Sequence, residues 1–111
     1  MKLEQRVIGE WCVVRPDLDR LDAYVADEFK AALTQCAGEG VTKLVLDLET
    51  VEFMDSSGLG AIVYVLQRLG SGGKIAIAGA TETVALMLRL THMDRVLLTI
   101  DSPEQVLEAT V

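Results

Sequence analysis

The sequence predicts an α/β fold, a mixed β-sheet of four to five strands with about four helices packed on it. Three observations lead there. Two short β runs at the start are separated by Gly9-Glu10, a turn signal. Apolar runs of strand length, Val41–Leu48 and Lys74–Ala78, then alternate with stretches of helical periodicity. Strands joined through helices pair parallel, whereas the opening hairpin is antiparallel, so the sheet is mixed. With 111 residues and no internal repeat, linker or low-complexity segment, a single domain over residues 1–111 is expected.

Each element has its own signal. Lys2–Ile8 places Leu3 and Val7 on one side, and Trp11–Arg15 completes the hairpin. Pro16 to Asp19 ends that strand in a polar loop. From about Ala23 to Ala37, Val25, Phe29, Ala32, Leu33 and Cys36 share a helix face, with Asp27, Glu28, Lys30 and Gln35 turned away. Asp22 stands just ahead as a candidate cap, and Gly38 and Gly40 stop the helix. Val41–Leu48 reads as a buried strand. A second helix follows Asp55, and Gly70–Gly73 makes a flexible turn into the strand Lys74–Ala78. Thr81 is a candidate cap for a helix to about Leu90, with Val84, Met87, Leu88 and Thr91 along one face. Met93–Arg95 is a short turn and Val96–Ile100 a last strand. Ser102, Pro103 and Gln105 start a final helix that Val106 and Leu107 are expected to pin.

The most informative stretch is Val51–Leu69, where Asp55, Ser56, Ser57, Gly58 and Gly60 gather at a strand-to-helix joint. A helix start carries unpaired N–H groups and partial positive charge, so it suits an anion or a hydroxyl that becomes one. The glycines leave room for a partner's backbone or a phosphate. Asp and Ser are also common caps, which is the plainer explanation of the same residues. The helix carries two apolar stripes: Leu59, Ile62, Val63, Leu66 and Leu69 on one, Ser57, Ala61, Tyr64, Val65 and Arg68 on the other. A helix so apolar is either deeply buried or meets a partner, and Ser57 at its mouth is a candidate switch.

MDSSGLG preceded by LVLDLETVEF resembles the signature of the STAS family, in particular the bacterial anti-sigma factor antagonists. RLDAYVADEF, GGKIAIAG and LMLRLTHMDRVLLTIDS extend the resemblance over nearly the whole chain, with Asp22 at the family's acidic position before the first helix. Asp19 stands where the family has Gly. The resemblance implies phosphorylation of Ser57 by a partner that is both anti-sigma factor and serine kinase. It also implies a serine phosphatase and the indirect release of a sigma factor. ATP and Mg²⁺ would belong to the kinase, with no cofactor on this chain. The implied contact residues are Asp22, Asp55, Ser56, Ser57, Gly58, Ala61, Tyr64, Val65 and Arg68. The alternative within the family is a non-switching scaffold or ligand-binding module in a signalling or lipid-transport assembly.

Composition narrows the rest. A net charge of −7 and a pI near 4.5 argue against nucleic acid, whose phosphates need basic patches. The longest run without charged or strongly polar residues, Gly58–Leu66, falls far short of the roughly 20 residues of a membrane span. No basic-then-apolar leader is visible, so a soluble cytoplasmic protein is expected. Cys12 and Cys36 lack metal-like spacing and read as buried thiols in a reducing compartment. Gly70–Lys74, GSGGK, is not a phosphate loop, because Ile75 replaces the metal-binding hydroxyl and the order is helix–loop–strand. A hydrolase nucleophile at Ser56 or Ser57 lacks the preceding glycine, since Met54 and Asp55 stand there. His92, the single histidine, is expected near the end of the third helix with a structural or surface role. Metal ligation and paired-carboxylate chemistry have no cluster to work with. No enzyme is expected.

Overall fold

A computed structural model describes residues 1–38 and 40–109; the remainder of the expected 1–111 domain lies outside the described residues. Strands β1 (Leu3–Ile8) and β2 (Trp11–Pro16) form the antiparallel hairpin. Helix α1 (Ala26–Cys36) leads to β4 (Lys43–Asp47), α2 (Ser56–Arg68) to β6 (Lys74–Ala78), and α3 (Glu82–Leu90) to β7 (Leu98–Ile100). A short pair, β3 (Arg20–Leu21) and β5 (Phe53–Met54), stands apart, and α4 (Val106–Ala109) closes the described chain.

The five-stranded sheet has the order β1-β2-β4-β6-β7, parallel from β2 onward. Each crossover therefore steps the same way along the sheet. Right-handed connections then put α1, α2 and α3 on one face. Packing agrees: Val14, Leu44, Leu46, Ile75 and Ile77 share a core with Phe29, Leu33, Ile62, Val65, Val84 and Leu88. The alternate strand residues Trp11, Val13, Val45, Ala76 and Ala78 form the other face, under Val106 of α4. Period-two alternation thus serves two cores at once, which is why the central strands read as continuous apolar runs. Fully burying side chains such as Phe29 and Leu33 stabilises the fold by about 1.5–3 kcal/mol each.

Several boundaries differ from the sequence reading. β2 runs through Pro16, which sits against Leu3 at the end of the ladder. α1 starts at Ala26, because Ala23–Val25 turn first and the N–H groups of Val25 and Ala26 both donate to the Asp22 carbonyl. Thr81 precedes α3 but makes no side-chain cap; its hydroxyl donates to the Val51 carbonyl at 3.1 Å. The last strand begins at Leu98, since Met93–Arg95 is a turn of 3₁₀ helix closed by Val96 and Leu97 N–H donating to Met93 O. Val106 is buried as expected, but Leu107 is half-exposed and lies over Gly9. Gln105 supplies the expected start of the last helical segment, its Oε1 accepting from Asp101 and Ser102 N–H.

The pair β3–β5 was not anticipated, and it matters most for the site. It clips the segment before α1 to the segment before α2 through Arg20 opposite Phe53 and Leu21 opposite Met54. The Asp19 carbonyl accepts from the N–H groups of Glu52 and Phe53 alongside. Among the described residues only His92 and five glycines have positive φ, so Asp19 in place of glycine takes an ordinary backbone conformation.

Candidate functional site: the α2 start and the α1–α2 groove

α2 begins where β5 ends. Asp55 is its N-cap in extended conformation, and Oδ1 accepts from Ser57 N–H at 2.9 Å and Gly58 N–H at 3.2 Å. The capping reading of the motif is therefore correct for Asp55. It also corrects the anion-site expectation, because two N–H groups of the helix start are already occupied. Asp55 N–H donates to the Leu21 carbonyl at 3.2 Å, fastening the cap to β3.

The two glycines of the motif have different surroundings. A Cβ at Gly58 would lie 2.4 Å from Leu21 O and 2.9 Å from Leu21 Cβ and Met54 Cγ, so glycine lets the first turn sit on the β3–β5 pair. A Cβ at Gly60 would meet nothing within 4 Å.

The docking stripe expected on α2 is only partly at the surface. Gly58 is buried, and Ala61 and Val65 are only 5% and 1% exposed, because α1 packs on this side of α2. The second apolar stripe is thus divided, with Ala61 and Val65 in the core and Tyr64 and Arg68 at the surface. Ser56, Gly60, Tyr64, Gln67 and Arg68 are exposed, and Ser57 is half-buried at the seam between the helices. A groove of about 320 Å³ runs along that seam, with Ser57, Lys30, Gly60 and Tyr64 in its lining and Ala23 and Ala26 on the α1 side. Lys30 Nζ stands 4.7 Å from the Tyr64 ring centroid, and the Arg68 guanidinium 5.5 Å from it, with Arg68 Nη1 donating to Tyr64 Oη at 3.3 Å. Sequence reasoning put Lys30 on a solvated face; nothing in the spacing signals its meeting with Tyr64.

Asp22 follows β3 directly and forms an Asx turn, Oδ1 accepting from Tyr24 N–H at 3.1 Å. Its Oδ2 pairs with Arg20 Nε at 3.3 Å, and Arg20 lies 4.3 Å over the Phe53 ring. The α1 N-cap itself is Val25, with no side-chain cap. Asp22 thus shapes the turn before α1 rather than capping the helix.

Other candidates fall into structural places. Gly70 and Gly72 have positive φ in the turn between α2 and β6. Cys12 and Cys36 are half-buried against the helix-side core, and burial pushes both thiols up from the ordinary cysteine value. His92 follows α3 in left-handed conformation, its N–H donating to Arg89 O. Among the described residues no group of His, Cys, Asp and Glu could hold a metal ion, and no helix is long and apolar enough to cross a membrane.

The site is thus a capped helix start with a hydroxyl at the seam of two helices. The STAS domain profile matches residues 2–106. A Thermotoga neapolitana protein, a candidate anti-sigma factor antagonist by name, is 35% identical over 77% of this chain and 70% of its own length. The anti-sigma-B factor antagonist of Staphylococcus aureus is 32% identical over 66% of this chain and 68% of its own. The crystal structure of a candidate anti-sigma factor antagonist from Thermotoga maritima superposes with a TM-score of 0.85 at 28% identity, covering 96% of this chain and 92% of that one. Fold, motif and relatives converge: the chain belongs to the STAS domain family.

Proposed function

We propose that this domain is an anti-sigma factor antagonist, a cytoplasmic protein-binding switch controlled at Ser57. Unmodified, the exposed rim of the α1–α2 seam docks on an anti-sigma factor that is also a serine kinase, and a sigma factor is released. The kinase transfers the γ-phosphoryl group of ATP to Ser57 Oγ. The bond to ADP breaks, and the hydroxyl proton passes to a base on the kinase. A serine phosphatase resets the switch. The observation that carries this reading is the position of Ser57, in the first turn of α2 and half-buried on a groove that a partner can reach.

Phosphate adds about −1.5 to −2 charges at neutral pH. Asp55 holds its place through backbone contacts, so the added charge need not unfold the turn; it changes what the surface offers. Like-charge juxtaposition in an interface costs several kcal/mol, about a hundredfold or more in affinity.

The test is incubation with ATP and the serine kinase encoded nearest this gene, read by intact-mass and fragment-ion analysis. One phosphate on Ser57, lost in Ser57→Ala, together with weakened binding of Ser57→Asp, supports the switch. A tight complex without phosphate would replace it with the scaffold reading. Phosphate on Ser56 instead would move the switch by one residue.

A further inference from the structure

We infer that Lys30 is the internal counter-ion of phosphorylated Ser57, and that modification draws its ammonium off the Tyr64 ring. The inference rests on Ser57 being the modified residue and concerns what the phosphate does within this chain.

Two of the donors a phosphate would ordinarily find at a helix start are taken here. Asp55 Oδ1 already takes the N–H groups of Ser57 and Gly58. The carboxylates in the neighbourhood, Asp22, Asp27 and Asp55, can only repel it. Of the cations, Arg20 is paired with Asp22 and stacked on Phe53, and Arg68 is bonded to Tyr64 Oη. Lys30 has no carboxylate within 4.0 Å among the described residues, and lines the same groove as Ser57. Its ammonium rests 4.7 Å from the Tyr64 ring centroid, a weak attraction at an exposed site.

The transfer stays within one groove, whose lining holds Lys30, Ser57, Gly60 and Tyr64 together. Ser57 and Tyr64 are about two turns apart, roughly 10 Å along the axis. Helical side chains lean toward the N-terminus, so the Tyr64 ring covers the turn between them and brings Lys30 toward Ser57. The residue in the gap is Gly60, with open space where its side chain would be. A dianion is a stronger partner for an ammonium than a neutral ring, so the lysine exchanges one for the other. Phosphorylation therefore both adds negative charge at the seam and withdraws the positive charge beside Tyr64.

The experiment installs phosphoserine at position 57 by genetic-code expansion, so no kinase is needed. Titration of the ³¹P shift should give a second phosphate pKa about half a unit lower with Lys30 than with Lys30→Gln. Lys30→Arg should restore the lower value, and Arg68→Gln should leave it unchanged. In parallel, the Lys30 ε-methylene protons, shifted upfield by the Tyr64 ring in the unmodified protein, should return toward the value they take in Tyr64→Leu. Equal ³¹P midpoints for Lys30 and Lys30→Gln, or an unmoved ε-methylene signal, would overturn the assignment. Failure of every kinase to modify Ser57 would instead count against the proposed function while leaving these two readouts to decide the lysine.

Discussion

The same substitution at Gly58 and Gly60, two residues apart on one helix, should change stability in opposite directions. At Gly60 a Cβ enters open space, so alanine contributes only its better helix propensity, about 1 kcal/mol in a helix interior. At Gly58 the propensity gain is at most that size, and the Cβ must fit where Leu21 O stands 2.4 Å away. That obstacle is backbone, held in the β3–β5 pair and accepting the Asp55 N–H, so it cannot rotate aside. Overpacking costs typically about 1–3 kcal/mol, and a rigid neighbour puts Gly58→Ala at the upper end, a net loss of about 1–2 kcal/mol after the propensity gain. Urea unfolding of both variants, with unchanged m-values, measures the difference directly. By heat, at about 4 °C per kcal/mol for a chain of this length, the two midpoints should part by roughly 8–12 °C. If Gly58→Ala were as stable as Gly60→Ala, the seating of α2 on Leu21 would be wrong, and with it the argument that the β3–β5 pair positions the site.

Asp55→Ala should lose about 1 kcal/mol from the cap and a few tenths more from the helix dipole, whereas Asp55→Asn keeps the acceptor and loses only the charge contribution; chemical denaturation separates them, and equal losses would contradict the capping role. Cys12 and Cys36, both raised by burial, should alkylate with iodoacetamide more slowly than a free thiol at pH 8 and speed up on unfolding, and rapid labelling of the native protein would show them more open than their packing implies.

The parts of this fold legible in the sequence are those where one interaction dominates. β4 and β6 are short apolar runs because both their faces are covered; β6 has the expected bounds, whereas β4 spans Lys43–Asp47, inside the expected Val41–Leu48. Ser102 and Gln105 sit at a spacing that has few other uses. What was not legible arises where elements distant in sequence meet. β3 and β5 have two residues each, too few for any periodicity, and exist because the turns before α1 and α2 lie side by side. The stripe through Ala61 and Val65 could have met a partner or another helix with the same residues; only the placement of α1 decides for the core. Thr81 has the chemistry of a cap, yet the Val51 carbonyl across the fold takes its hydroxyl. At the candidate site, Asp55 and Ser57 follow from the motif, whereas Lys30 needs the α1–α2 contact to become visible.

Because Leu21 and Asp55 together pin the start of α2, a charge placed at Ser57 has little backbone to move and is read mainly across solvent. Fields read that way fade over about 8 Å at physiological ionic strength and about 3 Å at 1 M. The discrimination between modified and unmodified forms should therefore shrink as salt rises, where a switch built on refolding would hold its contrast. If Ser57 is the proposed switch, the fixed start of α2 ties the fidelity of its signal to the ionic content of the surrounding water.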